Sequence, residues 1–162
     1  MHLHRLIALV GVVVGVIGLF LKSLVTDGEE LLPALSASSD AFPDGIPTIW
    51  GGLDTWAQWA LVILIIVVVV LALRPVLTDT YDTTAAGITS VIGVVLLVYA
   101  IVKYVDASDK ADNLAAGFSQ AASGGAIPSA FPVDPGIGFF ILMLGTVLVI
   151  AAGVLSMVRR NA

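Results

Sequence analysis

The residues best suited to chemistry are acids, histidines and lysines lying between long apolar runs. Asp106, Asp109 and Asp112 fall three apart in "VDASDKADNLAAGFSQAASGG", which starts at Val105. On a helix this spacing sets three carboxylates along one side. Carboxylate oxygens are the ligands of a calcium or similar cation site. No EF-hand pattern is present, and Lys110 intrudes between the acids. The same residues fit a short helix outside the membrane. Ser108 or Asp109 would cap it, and acids favour its positive end. Leu114 and Phe118, four apart, would give it an apolar stripe. Gly124 and Gly125 would end it. The capped helix is the expectation carried forward.

Two other clusters are weaker. His2 and His4 can both touch a metal, but no third ligand is near, so a cytoplasmic interface position is expected. "TDGEELLPALS" sets three acids before Leu31, Leu32 and Leu35, a solvated face over a helical turn on the membrane surface. The absence of cysteine excludes disulfides, thiolate zinc sites, iron–sulfur clusters and a cysteine nucleophile. HExxH, GxSxG, P-loop and dinucleotide patterns are missing. Without a basic patch, nucleic acid is not an expected partner. No catalytic residue, metal or cofactor is expected, and the chain does not read as an enzyme.

The elements that carry these residues are set by hydropathy. The chain is 59% hydrophobic and 12% charged over 162 residues. Soluble domains carry about 25% charged residues, and a domain this small cannot hide so much apolar surface from water. Lipid is the alternative solvent. Four uncharged windows predict helices over about 6–25, 55–73, 84–103 and 136–158, with Lys22 snorkelling from the first. About 20 apolar residues cross a bilayer, and backbone in lipid must bond within its own segment. The expected fold is therefore all-α, a four-transmembrane-helix bundle in a single membrane domain spanning 1–162. Two long extracytoplasmic loops are expected, 26–54 and 104–135. The first window resembles a signal peptide in its basic start. The nearest small-residue site, Ala34-Leu35-Ser36, lies far beyond the apolar run, so a retained helix is expected.

Orientation follows from the basic residues. Arg5, Arg74, Arg159 and Arg160 lie on one side; Lys22, Lys103 and Lys110 lie on the other with ten of the 12 acids. The positive-inside rule places both termini and the short joint after Arg74 in the cytoplasm of a plasma membrane. Trp50, Trp56 and Trp59 precede the second window and are expected as interface anchors, Trp50 either at the headgroups or inside a folded loop. Within the windows the polar side chains are few: Thr89, Ser90, Tyr99, Thr146 and Ser156. They suit helix–helix hydrogen bonds. No ionisable acid or base of the kind carriers use lies at mid-membrane.

Small residues supply packing faces. Gly11, Gly15 and Gly18 form one stripe; Ala86, Ser90 and Gly93, with Ala100, form another. Residues four apart share a face, and glycine admits a close backbone. The two stripes are expected to meet, holding the first helix against the third and leaving the second toward lipid or a partner. An internal echo also appears: Phe42-Pro43 in "AFPDGIP" and Phe131-Pro132 in "AFPVDPG" each precede a helix, as in a tandem two-helix hairpin.

The layout resembles claudins, with "WGGL" at Trp50 to Leu53 standing where they carry a tryptophan motif, though their paired cysteines are absent. The Ala/Val/Gly/Asp-rich usage resembles small actinobacterial tetraspan envelope proteins, including accessory subunits of mammalian-cell-entry type lipid transporters. That resemblance covers layout and composition across the chain and transfers no functional residue. It implies a non-catalytic accessory or assembly subunit of a larger envelope complex that handles lipids. Its partners would be other integral membrane subunits and lipids, with the chemistry in a permease pair and an ATPase. The alternative reading is a self-assembling pore or small-solute transporter.

Overall fold

A computed structural model describes residues 3–73 and 82–158. Arg74, Arg159, Arg160, His2, Ala162 and most of the short joint lie outside the described residues. The described chain is mainly helical. In order it runs α1 (Leu3–Leu19), β1 (Leu24–Val25), a 3-10 turn (Glu29–Leu31) and α2 (Leu32–Ser36). It continues through α3 (Thr55–Ala72), α4 (Thr83–Ser123), β2 (Asp134–Pro135) and α5 (Gly138–Val158). By length and composition α3, α4 and α5 can each cross a membrane; α1 is a shorter apolar helix of 17 residues. This is the architecture of a multi-pass membrane protein.

Two helix boundaries differ from expectation. The first helix stops at Leu19 instead of reaching Val25. Beyond it the backbone is claimed by long-range hydrogen bonds. Trp50 N–H donates to the Leu19 carbonyl at 2.8 Å, and Ile49 N–H to that of Leu21 at 2.9 Å. Ser23 N–H donates to the Pro47 carbonyl at 3.0 Å, while the Ser23 carbonyl accepts from Gly136 N–H at 2.8 Å. Leu24 and Val25 then pair antiparallel with Pro135 and Asp134. The segment after α1 thus becomes an extended spine, stitched on one edge to the chain following Phe42-Pro43 and on the other to the chain following Phe131-Pro132. Partners distant in sequence supplied the bonds that a continuing helix would have made.

The third helix runs the other way and overshoots. Instead of ending near 103 before a separately capped helix, α4 continues for 41 residues, about 61 Å. No Gly or Pro interrupts the stretch from Val94 to Ala116, and Ala107, Ala111, Leu114 and Phe118 repeat at three- and four-residue steps on the buried side. Ser108 caps nothing: its hydroxyl donates back to the Tyr104 carbonyl at 3.1 Å within the helix. The start is fixed by Asp82, whose carboxylate accepts from Thr84 N–H at 2.8 Å. The expected stop at Gly124-Gly125 is observed. Gly125 takes φ 74°, and Ala126 N–H reaches the Ala121 carbonyl at 2.9 Å, a closure that needs a left-handed residue.

The segments 20–54 and 103–137 therefore form a folded cap on one end of the bundle. Its core gathers Leu24, Leu32, Leu35, Phe42, Leu114, Phe118 and Val133. Leu32 and Leu35 turn into this core rather than resting on a membrane surface, while Asp27 and Glu30 stay exposed. In the bundle, α5 lies between α1 and α4, antiparallel to both, and α3 closes the remaining side against α1 and α4. At the opposite end from the cap, His4 and Arg5 are buried, not exposed at an interface. Arg5 Nη1 lies 3.4 Å from the Ala72 carbonyl, where a cation complements the negative end of α3.

Candidate functional site

The sequence marks four kinds of position, and the structure distributes them differently. Gly11, Gly15 and Gly18, and likewise Ala86, Ser90 and Gly93, lie against α5. A Cβ built on Gly18 would sit 2.7 Å from the Gly138 carbonyl oxygen, and one on Gly11 would sit 2.7 Å from that of Gly145. Gly15 leaves more room, its nearest contact being Leu142 Cδ1 at 3.7 Å. On the far side of α5, a Cβ on Gly93 would strike Ile150 at 2.6 Å, and Gly153 presses on Ala86 and Ser90. The two stripes therefore do not meet. Each takes its own face of α5, whose Gly138, Gly145 and Gly153 complete both seams. Those α5 glycines were missed, although their spacing of seven and eight matches the seven between Gly11 and Gly18.

Trp56 and Trp59 project fully from the first turns of α3. Trp50 is half-buried, its ring 6.3 Å from that of Phe20 and its carbonyl accepting from Gln58 Nε2 at 3.0 Å. Trp50 thus packs within a folded loop. Thr146, expected to bond between helices, bonds within its own: its Oγ1 donates to the Met143 carbonyl at 2.7 Å. The hydroxyls of Thr89, Ser90 and Tyr99 are buried with no hydrogen-bond partner among the described residues. The acids Asp106, Asp109 and Asp112 lie exposed along one continuous helix, spread out rather than converging on a point.

A sizeable polar-rimmed space forms where α4 leaves the bundle. A groove of about 420 Å3 opens between α4 residues 103–114 and the loop 41–53, with Phe139 at its floor. Ligand sites are commonly about 300–1,000 Å3 and mostly apolar with a few placed polar groups. Here Ile46, Ile49, Leu53 and Leu114 form apolar wall, while Lys103, Asp106, Lys110 and Asn113 follow one edge. Their spacing of three and four along α4 brings them to the same face. Lys103 Nζ lies 3.3 Å from Asp106 Oδ2 and 5.8 Å from the Tyr99 ring centroid. Lys110 is exposed and makes no ion pair among the described residues. Lys22, the third lysine of the cap, is held by Glu29. Beneath the groove, and sharing Ile49, Leu53 and Lys103 with it, a narrow apolar cleft of about 40 Å3 continues between α1, α3, α4 and α5 past Tyr99. Sequence spacing alone did not mark the groove, because its two walls are 50 residues or more apart; the lysine step from 103 to 110 was its only local trace.

Comparison with protein families, with curated proteins and with solved structures finds no match for the chain.

Proposed function

We propose that the protein is a non-catalytic, multi-pass subunit of the plasma membrane that acts as an accessory or assembly partner in a larger envelope complex handling lipids. The bundle would cross four times, with both termini cytoplasmic and the cap outside. The observation that carries this reading is the contrast between interior and cap. Inside, glycine seams bring helix backbones together, and the apolar cleft between the helices is narrow, about 40 Å3, little more than a few water-sized spheres. A conduction path has no room in that cleft, which weighs against a pore through a single chain. Outside, the chain invests most of its acids and a large groove in an ordered cap. A protein organised in this way offers surfaces rather than reagents.

The test is isolation of the full chain from native membranes in mild detergent. Co-migration with other integral membrane subunits, well above the 16.7 kDa of one chain, is the expected result. A monodisperse single chain that carries the whole cellular activity would overturn the proposal.

A further inference from the structure

We propose that the groove between α4 and the 41–53 loop binds an anionic single-chain amphiphile, with its headgroup at Lys103 and Lys110 and its tail on the apolar wall. This rests on the reading of the chain as a membrane protein whose cap lies at the lipid–water boundary, and not on membership of a complex.

The charge pattern carries the argument. The chain has a net charge of −5, and the cap holds most of its acids. Yet two of the three cap lysines line the same groove, and the third is tied to Glu29 outside it. Asp106 meets Lys103 at 3.3 Å on that edge, so Lys110 is left as the uncompensated charge. A carboxylate or phosphate entering between the lysines gains charge-assisted hydrogen bonds from ammonium donors, and Asn113 adds an amide donor beside them. The rest of the lining is mainly apolar, with Ser23 among it. Ile46, Leu53, Leu114 and Phe139 would gain by covering with a chain instead of water. An ion alone would waste that wall, and an uncharged hydrocarbon would ignore the lysines.

The cleft below, too narrow at about 40 Å3 to take an acyl chain, adds one polar group beside the wall it shares with the groove. It begins at the shared residues Ile49, Leu53 and Lys103 and leads to the Tyr99 hydroxyl, a buried donor without a partner among the described residues. An ester or acid oxygen at the junction of head and tail would accept that hydrogen bond. The groove therefore joins cationic and apolar lining in one space, the two parts that an amphiphile presents together.

The experiment uses the full chain in phosphatidylcholine nanodiscs and a diazirine-bearing fatty acid as photoprobe. Labelled peptides should fall in 41–53 and 103–114. Excess oleate or lysophosphatidylglycerol should suppress labelling, whereas lysophosphatidylcholine and tailless butyrate should not. Lys103→Gln with Lys110→Gln should weaken probe binding about tenfold, and Lys103→Arg with Lys110→Arg should retain it. Labelling confined to the lipid-facing sides of the helices would overturn the proposal. So would equal competition by the zwitterionic lipid, a readout that needs no variant. Failure here leaves the accessory-subunit reading standing, and a chain that migrates alone but labels as expected leaves this one standing.

Discussion

Gly11 and Gly145 face each other across the α1–α5 seam so closely that neither can carry a methyl group. A Cβ on Gly11 would lie 2.7 Å from the Gly145 carbonyl oxygen, and a Cβ on Gly145 would lie 2.6 Å from that of Gly11. Backbone, unlike a flexible side-chain tip, has nowhere to retreat. Gly11→Ala, Gly18→Ala and Gly145→Ala should each destabilise the bundle by about 2 kcal/mol through overpacking. Gly15→Ala meets only Leu142 Cδ1 at ordinary contact and should change stability by less than about 0.5 kcal/mol. Thermal unfolding in one detergent, followed by tryptophan fluorescence, ranks the four. Equal losses at Gly11 and Gly15 would contradict the seam described.

The cap has its own hub. Phe118 is fully buried, with Phe42 at 5.6 Å on one side and Phe131 at 5.5 Å on the other. Both Phe-Pro segments thus dock on a single ring of α4. Phe118→Ala removes that ring and should cost about 3–5 kcal/mol, opening the cap to proteases while α1, α3 and α5 stay helical. The Lys22–Glu29 ion pair joins partly exposed side chains. Lys22→Ala should therefore cost less than about 1 kcal/mol. Limited proteolysis of the two variants in detergent separates them, and comparable susceptibility would show that the aromatic cluster does not hold the cap.

The hub also explains which parts of the fold could be read from sequence. Apolar windows locate α3 and α5 to within a few residues, because hydropathy is a local property and lipid forces local hydrogen bonding. The fate of residues 20–25 and 104–123 was not local. Leu21 and Ser23 left the helix because Ile49, Pro47 and Gly136 offered bonds; Ala107 to Phe118 stayed in one because the cap core took their apolar side. The echo of Phe42-Pro43 and Phe131-Pro132 marks convergence on Phe118. It does not mark equivalent hairpins, since α1 turns into an extended spine where α4 continues as helix. Glycine stripes announced close packing but not its partner, and the answer lay in Gly138, Gly145 and Gly153 of α5.

The tryptophans give a depth measurement. Trp56 and Trp59 are 68% and 64% exposed on α3, and an indole at the headgroup level keeps its N–H wet. Trp50 is half-buried in the cap. With two of the three replaced by Phe in turn, lipid brominated near the headgroup should quench Trp56 and Trp59 strongly and Trp50 least. Stronger quenching of all three by bromine near the acyl terminus would place α3 deeper than its anchors allow.

The longest helix provides the final test, because its continuity and its sidedness make separate demands. Thr84 and Ser119 are both exposed and both lie on α4. An unbroken helix sets them about 52 Å apart at 1.5 Å per residue. A break near 103, as the separate capped helix would require, shortens that distance and broadens its distribution. Since the chain has no cysteine of its own, Thr84→Cys with Ser119→Cys takes spin labels without background, and electron–electron distances in nanodiscs read the answer directly. Single cysteines then report the side. An impermeant maleimide added to intact cells should modify Asp109→Cys and Ser119→Cys, while Thr84→Cys reacts only after the cells are opened. A reporter fused after Ala162 should sit in the cytoplasm. A long distance with reversed labelling would keep the fold and invert the protein, moving the groove to the cytoplasmic face; a short one would dissolve the groove itself, since Lys103 and Lys110 share an edge only on a continuous α4.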